Sequence, residues 1–171
     1  NVNHRQGQET ESMGDVRSSD RTRTAANPQD RDGRSVLGKL VYAPSEDQRF
    51  RLTVEGNEDS VDTDVLSAID HTTTTGMQAR DHQTRARVSF AHEMDNLAAG
   101  FADSLSWQLY RQDSETTQRT DEQRANRSTR HREFNFDQRV YGLQAVFHKA
   151  LQTGAVEHAL TYGFDGTWTE T

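Results

Sequence analysis

The feature that most constrains this chain is an alternation of apolar and polar side chains within residues 35–56, which is clearest over residues 49–55. The even-numbered positions hold Val36, Gly38, Leu40 and Tyr42 in the first half and Phe50, Leu52 and Val54 in the second. The odd-numbered positions of the second half hold Arg49, Arg51, Thr53 and Glu55. Successive side chains of a strand point to opposite faces, so the pattern predicts two strands that each have one apolar and one charged face. The turn residues at 44–47 between them predict antiparallel pairing.

Composition decides what kind of sheet this is. Only 31% of the 171 residues are hydrophobic, whereas about 45–50% is usual for a globular domain on a broader residue count. A disordered chain would not repeat a period-two pattern, so we predict a sheet with a single apolar face. The net charge is −7, and the 20 basic residues are scattered, which argues against a nucleic-acid partner. The absence of Cys excludes disulfides and thiolate metal sites.

Further stretches repeat the alternation, at about 84–92, 105–110, 133–148 and 160–168. Within the third of these the parity changes. Phe134 and Phe136 fall on even positions, whereas Tyr141, Leu143, Ala145 and Phe147 fall on odd ones. One extra residue in a strand moves its side chains to the other face, so this change predicts a β-bulge near residues 137–140.

The segments between these strands differ in length. Residues 1–12 read as the polar upper end of a strand, and long connections are predicted at about 13–34, 57–83 and 114–130. A short helical turn is predicted at 65–69, a moderate connection at 93–102, and short turns at 44–47 and 152–157. All the long connections fall at one end of an up-and-down meander.

This asymmetry predicts the fold class. It is all-β, an antiparallel up-and-down meander that forms part of a transmembrane β-barrel, because outer-membrane barrels join short periplasmic turns to long extracellular loops. Tyr42, Phe90 and Phe147 near the short turns, and Trp168 toward the other end, fit aromatic girdles. The alternative is a soluble all-β binding or adhesion module whose apolar faces pack on each other.

The chain starts without Met and stops inside an apparent strand at 166–168. We therefore expect residues 1–171 to be a fragment of a barrel domain, with six to seven strands and without a plug domain. Unpaired strand edges are not tolerated in lipid, so we do not expect the fragment to fold alone.

Several segments resemble a known family. They read NPQD at 27–30, SVLGKLVYAP at 35–44, RFRLTVE at 49–55, FDQRVYGLQ at 136–144 and HALTYG at 158–163. Taken in this order, they are similar to the barrel region of TonB-dependent outer-membrane receptors, in particular the haem/haemoglobin receptor branch. The FRAP and NPNL boxes of that branch do not occur here, so no ligand residue is carried over from the family.

The resemblance implies a location in the bacterial outer membrane and a barrel of about 22 strands. It implies uptake of haem or another iron complex, with haem, haemoglobin or a siderophore as ligand. The further implied partners are outer-membrane lipid and the TonB complex, which would act through a plug. No cofactor of the chain's own is implied.

Candidate ligand-binding residues are His71 and His82, which fall in one predicted loop, where imidazole could meet a haem iron. The alternative is that both are solvated loop histidines. Arg49, Arg51, Arg85 and Arg87 could form a basic stripe for anionic ligands, with salt bridges to acids such as Glu55 as the alternative role. No phosphate loop, nucleophile motif or paired-carboxylate motif is present, so we do not predict an enzyme.

Overall fold

The chain forms one antiparallel sheet in which seven strands pair in chain order, so the predicted all-β meander is confirmed. The structure is a computed structural model and describes residues 1–11, 14–97 and 99–171. The strands are β1 (Val2–Gln8), β2 (Gln29–Ser45), β3 (Gln48–Asp64), β4 (Thr74–Met94), β5 (Ser104–Arg124), β6 (Thr129–Thr153) and β7 (Val156–Glu170). β1 and β7 are the two edges of the sheet and do not pair with each other.

The connections alternate between the two ends of the sheet. Residues 9–28, 65–73 and 125–128 join strands at what we call the upper end, and residues 46–47, 95–103 and 154–155 at the lower end. A 3₁₀ helix, Leu66–Ala68, lies inside the predicted helical turn and confirms it. The first residue of the predicted loop at 13–34, Met13, lies outside the described residues, as does Ser12.

Three predicted connections are wrong in their extent. Most of residues 57–83 and 114–130 is strand, as is the end of the segment 13–34, because β2, β3, β4, β5 and β6 all continue upward beyond their apolar portions. Ion pairs between neighbouring strands accompany these polar portions: Arg31 with Asp59 at 2.5 Å and Arg80 with Asp62 at 2.5 Å. A further pair, Arg119 with Asp121 at 3.4 Å, lies within β5. Because both faces of these portions are polar, the sequence there lacks the hydrophobic alternation that predicts a strand.

The predicted bulge at residues 137–140 is also wrong. β5 and β6 pair without interruption from Ser104–His148 to Gln123–Thr129. Phe134 and Phe136 therefore point to the opposite face from Tyr141 and Leu143. Register shifts occur instead between Tyr42 and Ser45 and between Thr74 and Gly76.

No large hydrophobic core is present in the described part of the chain. Its buried hydrophobic residues are Ile69, Ala102 and Ala145, all small or peripheral to the sheet. Because most large apolar side chains remain exposed, the sheet is held together largely by backbone hydrogen bonds between its strands. Among the described residues, no helix has the length and apolar character needed to cross a membrane.

Candidate functional site

One face of the sheet, which we call the apolar face, carries a continuous band of large apolar side chains. Its central row follows the strand register through Leu40, Leu52, Phe90, Leu109 and Leu143. These side chains belong to residues that are 38–65% exposed. Directly opposed side chains lie about 5 Å apart, so the row forms an unbroken apolar surface across five strands.

The length of this band can be measured along β4, where Ala86, Val88, Phe90, His92 and Met94 share the apolar face. At about 3.4 Å per residue, these nine positions extend over about 27 Å. The band therefore has the number of residues, about 9–11, with which a tilted strand crosses a bilayer.

Aromatic rings line the lower margin of the band. Phe50 stacks on Tyr42 at 6.3 Å and on the His92 ring at 4.0 Å, and Trp107 meets His92 edge-on at 5.8 Å. Further along the sheet, Phe147 and Tyr162 are stacked at 5.2 Å. Amphipathic rings in such a row are typical of the boundary between an apolar and an aqueous medium.

The upper margin is formed by a change from apolar to charged side chains on the same face. Arg111 donates two hydrogen bonds to Asp113, at 2.8 and 3.0 Å, and Arg139 donates a third at 2.7 Å. The Arg111 guanidinium also lies 5.8 Å from the centre of the Tyr141 ring. Arg111 thus extends upward from the band to Asp113, whereas Arg139 reaches the same carboxylate from the opposite position on β6.

The opposite face, which we call the polar face, carries the predicted basic residues. Arg51 and Arg49 both pair with Glu93, the latter at 3.4 Å. Glu55, the salt-bridge partner suggested by the sequence, lies opposite Leu37 on β2 and opposite Arg87, one of the predicted basic residues, on β4.

Arg87 also has an aromatic partner, because its guanidinium lies 4.2 Å from the centre of the Tyr110 ring. That ring covers Gly142, where any added Cβ would overlap it. This small position on β6 is therefore required by the close approach of an aromatic ring from β5.

The three upper connections are joined to one another. Arg21 of the first donates to Asp70 of the second at 3.0 Å, and Asn27 exchanges two hydrogen bonds with Ser67 at 3.0 and 3.1 Å. The backbone N–H of Ala125, in the third, donates to the carbonyl of Thr73 at 3.0 Å. The connections therefore form one linked rim around residues 65–73.

Asp70 is the centre of that rim. Its Oδ1 accepts backbone N–H groups from Thr72, Thr73 and Thr74 at 3.1, 2.7 and 2.9 Å. These hydrogen bonds, that of Thr73 foremost, favour the ionised carboxylate and lower the pKa of Asp70 to about 2. The negative charge thus helps to hold the connection in its shape.

The structure separates the two predicted ligand histidines. His71 lies in the upper connection with a φ of 60°, whereas His82 lies inside β4, eight residues beyond the first residue of that strand. The strand geometry places them roughly 25 Å apart. The His82 Nδ1 is 2.8 Å from the Ser60 hydroxyl, and its Nε2 is 3.9 Å from Glu58. The assumption that both lie in one loop is wrong, and their role in ligand binding stays a prediction.

Sequence reasoning missed a second group of side chains on the polar face. Arg130, Arg132, Phe134 and Phe136 alternate along the upper part of β6 and point to this face; we call them the Arg–Phe stripe. The sequence signal is the change from even to odd apolar positions after Phe136, which a bulge would also produce.

Comparison with known proteins adds no assignment. In the described residues there is no group of three or more His, Cys, Asp or Glu side chains that could hold a metal ion. No protein-family model matches the chain, and no curated protein sequence matches it.

Proposed function

We propose that this chain forms part of the wall of an outer-membrane β-barrel, in a receptor of the TonB-dependent type that takes up haem or another iron complex. The barrel wall itself performs no bond chemistry. Its apolar face contacts lipid, its polar face lines the interior, and the linked upper rim faces the ligand outside the cell.

The observation that carries the proposal is the exposed apolar face. Its band is about 27 Å long on β4, ends below in stacked rings and ends above in paired arginines. A water-soluble sheet would have to cover such a surface, because contiguous apolar patches larger than a few hundred Å² are rare on monomeric soluble proteins. Lipid covers it without a second protein layer, and the chain-order meander is the topology of outer-membrane barrels.

Site-directed spin labelling of the full-length gene product in lipid vesicles tests the location of the apolar face. Residues 1–171 contain no cysteine, so single labels can be placed by Leu52→Cys and Leu109→Cys on this face, with Thr53→Cys and Gln108→Cys as controls on the other. Any cysteine elsewhere in the gene product is first replaced by serine. Contact with lipid predicts rapid collision with dissolved oxygen and slow collision with a water-soluble nickel chelate at the first pair only. Rapid nickel collision at Leu52 and Leu109, or slow collision with both reagents, would refute the proposal.

A separate experiment tests the transported ligand. Cells that lack the gene are compared with complemented cells on media in which haem, a siderophore complex or free ferric salt is the only iron source. We expect the deletion to abolish growth on one complexed source and to leave growth on the free salt unchanged. Equal growth of both strains on every complexed source would contradict a role in iron uptake.

A further inference from the structure

We propose that the Arg–Phe stripe binds the organic part of the ligand, a flat unsaturated ring system that carries carboxylate groups. The inference rests on the proposed function, and it adds a recognition site that does not depend on iron coordination. The two phenylalanines contact the ring system, and the arginines receive its carboxylates.

The rings of Phe134 and Phe136 are not covered by side chains of the neighbouring strand β5. The two residues are 67% and 55% exposed, although the polar face around them is hydrophilic. Their neighbours in register on β5 are Gln118 and Thr116, whose side chains do not cover the rings. Positions two apart on a strand are separated by about 7 Å, so one flat ligand of roughly 10 Å can contact both rings.

The direction of these side chains is a property of the register. β5 and β6 pair continuously through this region, so Phe134 and Phe136 point to the polar face whatever adjoins β6 on its other side. They cannot be a displaced portion of the apolar band. An exposed pair of phenylalanines on a polar surface therefore needs a different explanation, and ligand contact provides one.

Positive charge lies directly above the rings. Glu122 is buried on the polar face, and its Oε2 accepts a hydrogen bond from the Arg132 guanidinium at 2.9 Å. The Nε of Arg124 lies 3.3 Å from the other carboxylate oxygen of Glu122. Arg130 is opposite Glu122 in the register, is exposed, and forms no side-chain hydrogen bond or ion pair with another described residue. Three guanidinium groups therefore accompany one carboxylate, and the local excess of positive charge favours a carboxylate ligand despite the net charge of −7.

The stripe also lies close to the upper end of the sheet, from which a ligand can reach it. Arg130 is the second residue of β6, and only residues 125–128 lie between β5 and β6 at the upper end. The apolar band ends lower on the same strand, below Arg139, so the stripe lies above it. Among the described residues, Asp81 is the other carboxylate of this face near the rings, and it is two strands away from Phe134 in the register, or about 10 Å.

Iron-free protoporphyrin tests the inference, because it has a flat ring system and two carboxylates but no metal. Its binding to the full-length gene product in lipid vesicles is followed by porphyrin fluorescence anisotropy, and its dimethyl ester serves as the uncharged probe. We expect Arg130→Gln to weaken binding of the acid about 10-fold and to leave binding of the ester unchanged, since a charge-assisted hydrogen bond is lost. Phe134→Ser should weaken both probes about 10-fold.

Arg119→Gln is the matched control, because Arg119 lies at a similar height on β5 but on the opposite face. We expect it to bind both probes as the unmodified protein does. Unchanged binding in Arg130→Gln and Phe134→Ser, or an equal loss in Arg119→Gln, would overturn the inference. Heat-dependent gel mobility verifies that each variant is folded, which is expected because both altered side chains are exposed.

The two proposals fail separately in these experiments. The proposed function would be upheld if the spin labels contact lipid and the deletion abolishes growth on one complexed iron source, even if protoporphyrin does not bind the stripe. Conversely, loss of porphyrin binding in the stripe variants would uphold the inference for the polar face even if the deletion strain took up every iron source normally.

Discussion

A single arginine placed at the centre of the apolar face gives the sharpest test of what that face contacts. Leu109 is 47% exposed and lies between Phe90 and Leu143 in the central row. On β4 that row is four residues from each end of the nine-residue band, or about 13 Å along the strand. With a strand tilt of about 45°, its depth is roughly 10 Å from either margin.

At that depth an arginine cannot reach water without strain. We expect Leu109→Arg to lower the free energy of unfolding in lipid by about 2–4 kcal/mol, the cost of a cation at the middle of a bilayer. Met94→Arg, at the lower margin of the same face, should cost about 0–1 kcal/mol because its guanidinium reaches the interface. Gln108→Arg, on the polar face between Ala91 and Gln144, should cost less than about 0.5 kcal/mol.

The measurement is urea-induced unfolding of the full-length gene product in vesicles, followed by heat-dependent gel mobility. If Leu109→Arg destabilises no more than Gln108→Arg, the apolar face does not contact hydrocarbon and the reasoning fails. If Leu109→Arg is equally costly in lipid-free buffer where the protein remains folded, a protein layer covers the face instead.

Two further predictions concern other parts of the sheet. Gly142→Ala should destabilise the fold by about 1–3 kcal/mol, because its Cβ would overlap the Tyr110 ring, whereas Gly166→Ala has open space and should change stability by less than about 1 kcal/mol in urea unfolding. Because folding lowers the pKa of Asp70 to about 2, its stabilising effect is present above about pH 4 and is lost as the pH falls toward 2. Amide exchange at residues 72–74, corrected for intrinsic rates, should therefore accelerate over that range in the unmodified protein and remain level in Asp70→Asn. A pH profile that Asp70→Asn leaves unchanged would contradict this role.

The linked rim gives the proposed receptor a defined outer surface. Arg21, Asp70 and Ala125 belong to three different connections, yet one chain of hydrogen bonds joins them. A ligand that contacts one connection would therefore meet a surface that the other two hold in position. His71 lies within this surface at the tip of the middle connection, which keeps it a candidate for ligand contact.

The sequence by itself determined the class of the fold and the two faces of its lower half. Alternation at Phe50, Leu52 and Val54 was readable because one face is apolar and the other is charged, and each strand there has a period of two. Low hydrophobicity with no loss of periodicity indicated a sheet with one apolar face. These are properties of neighbouring residues, so they required no knowledge of distant contacts.

Only the tertiary structure decided where the strands end and which face the upper side chains occupy. Pairing of Arg31 with Asp59 and of Arg80 with Asp62 joins residues that are far apart in the chain and carry no apolar pattern. The uninterrupted register of β5 with β6 placed Phe134 and Phe136 on the polar face. The pairing of β4 with β3 and β5 placed His82 inside a strand, outside the loop that contains His71. Register is a relation between two strands, and a period read along one strand cannot supply it.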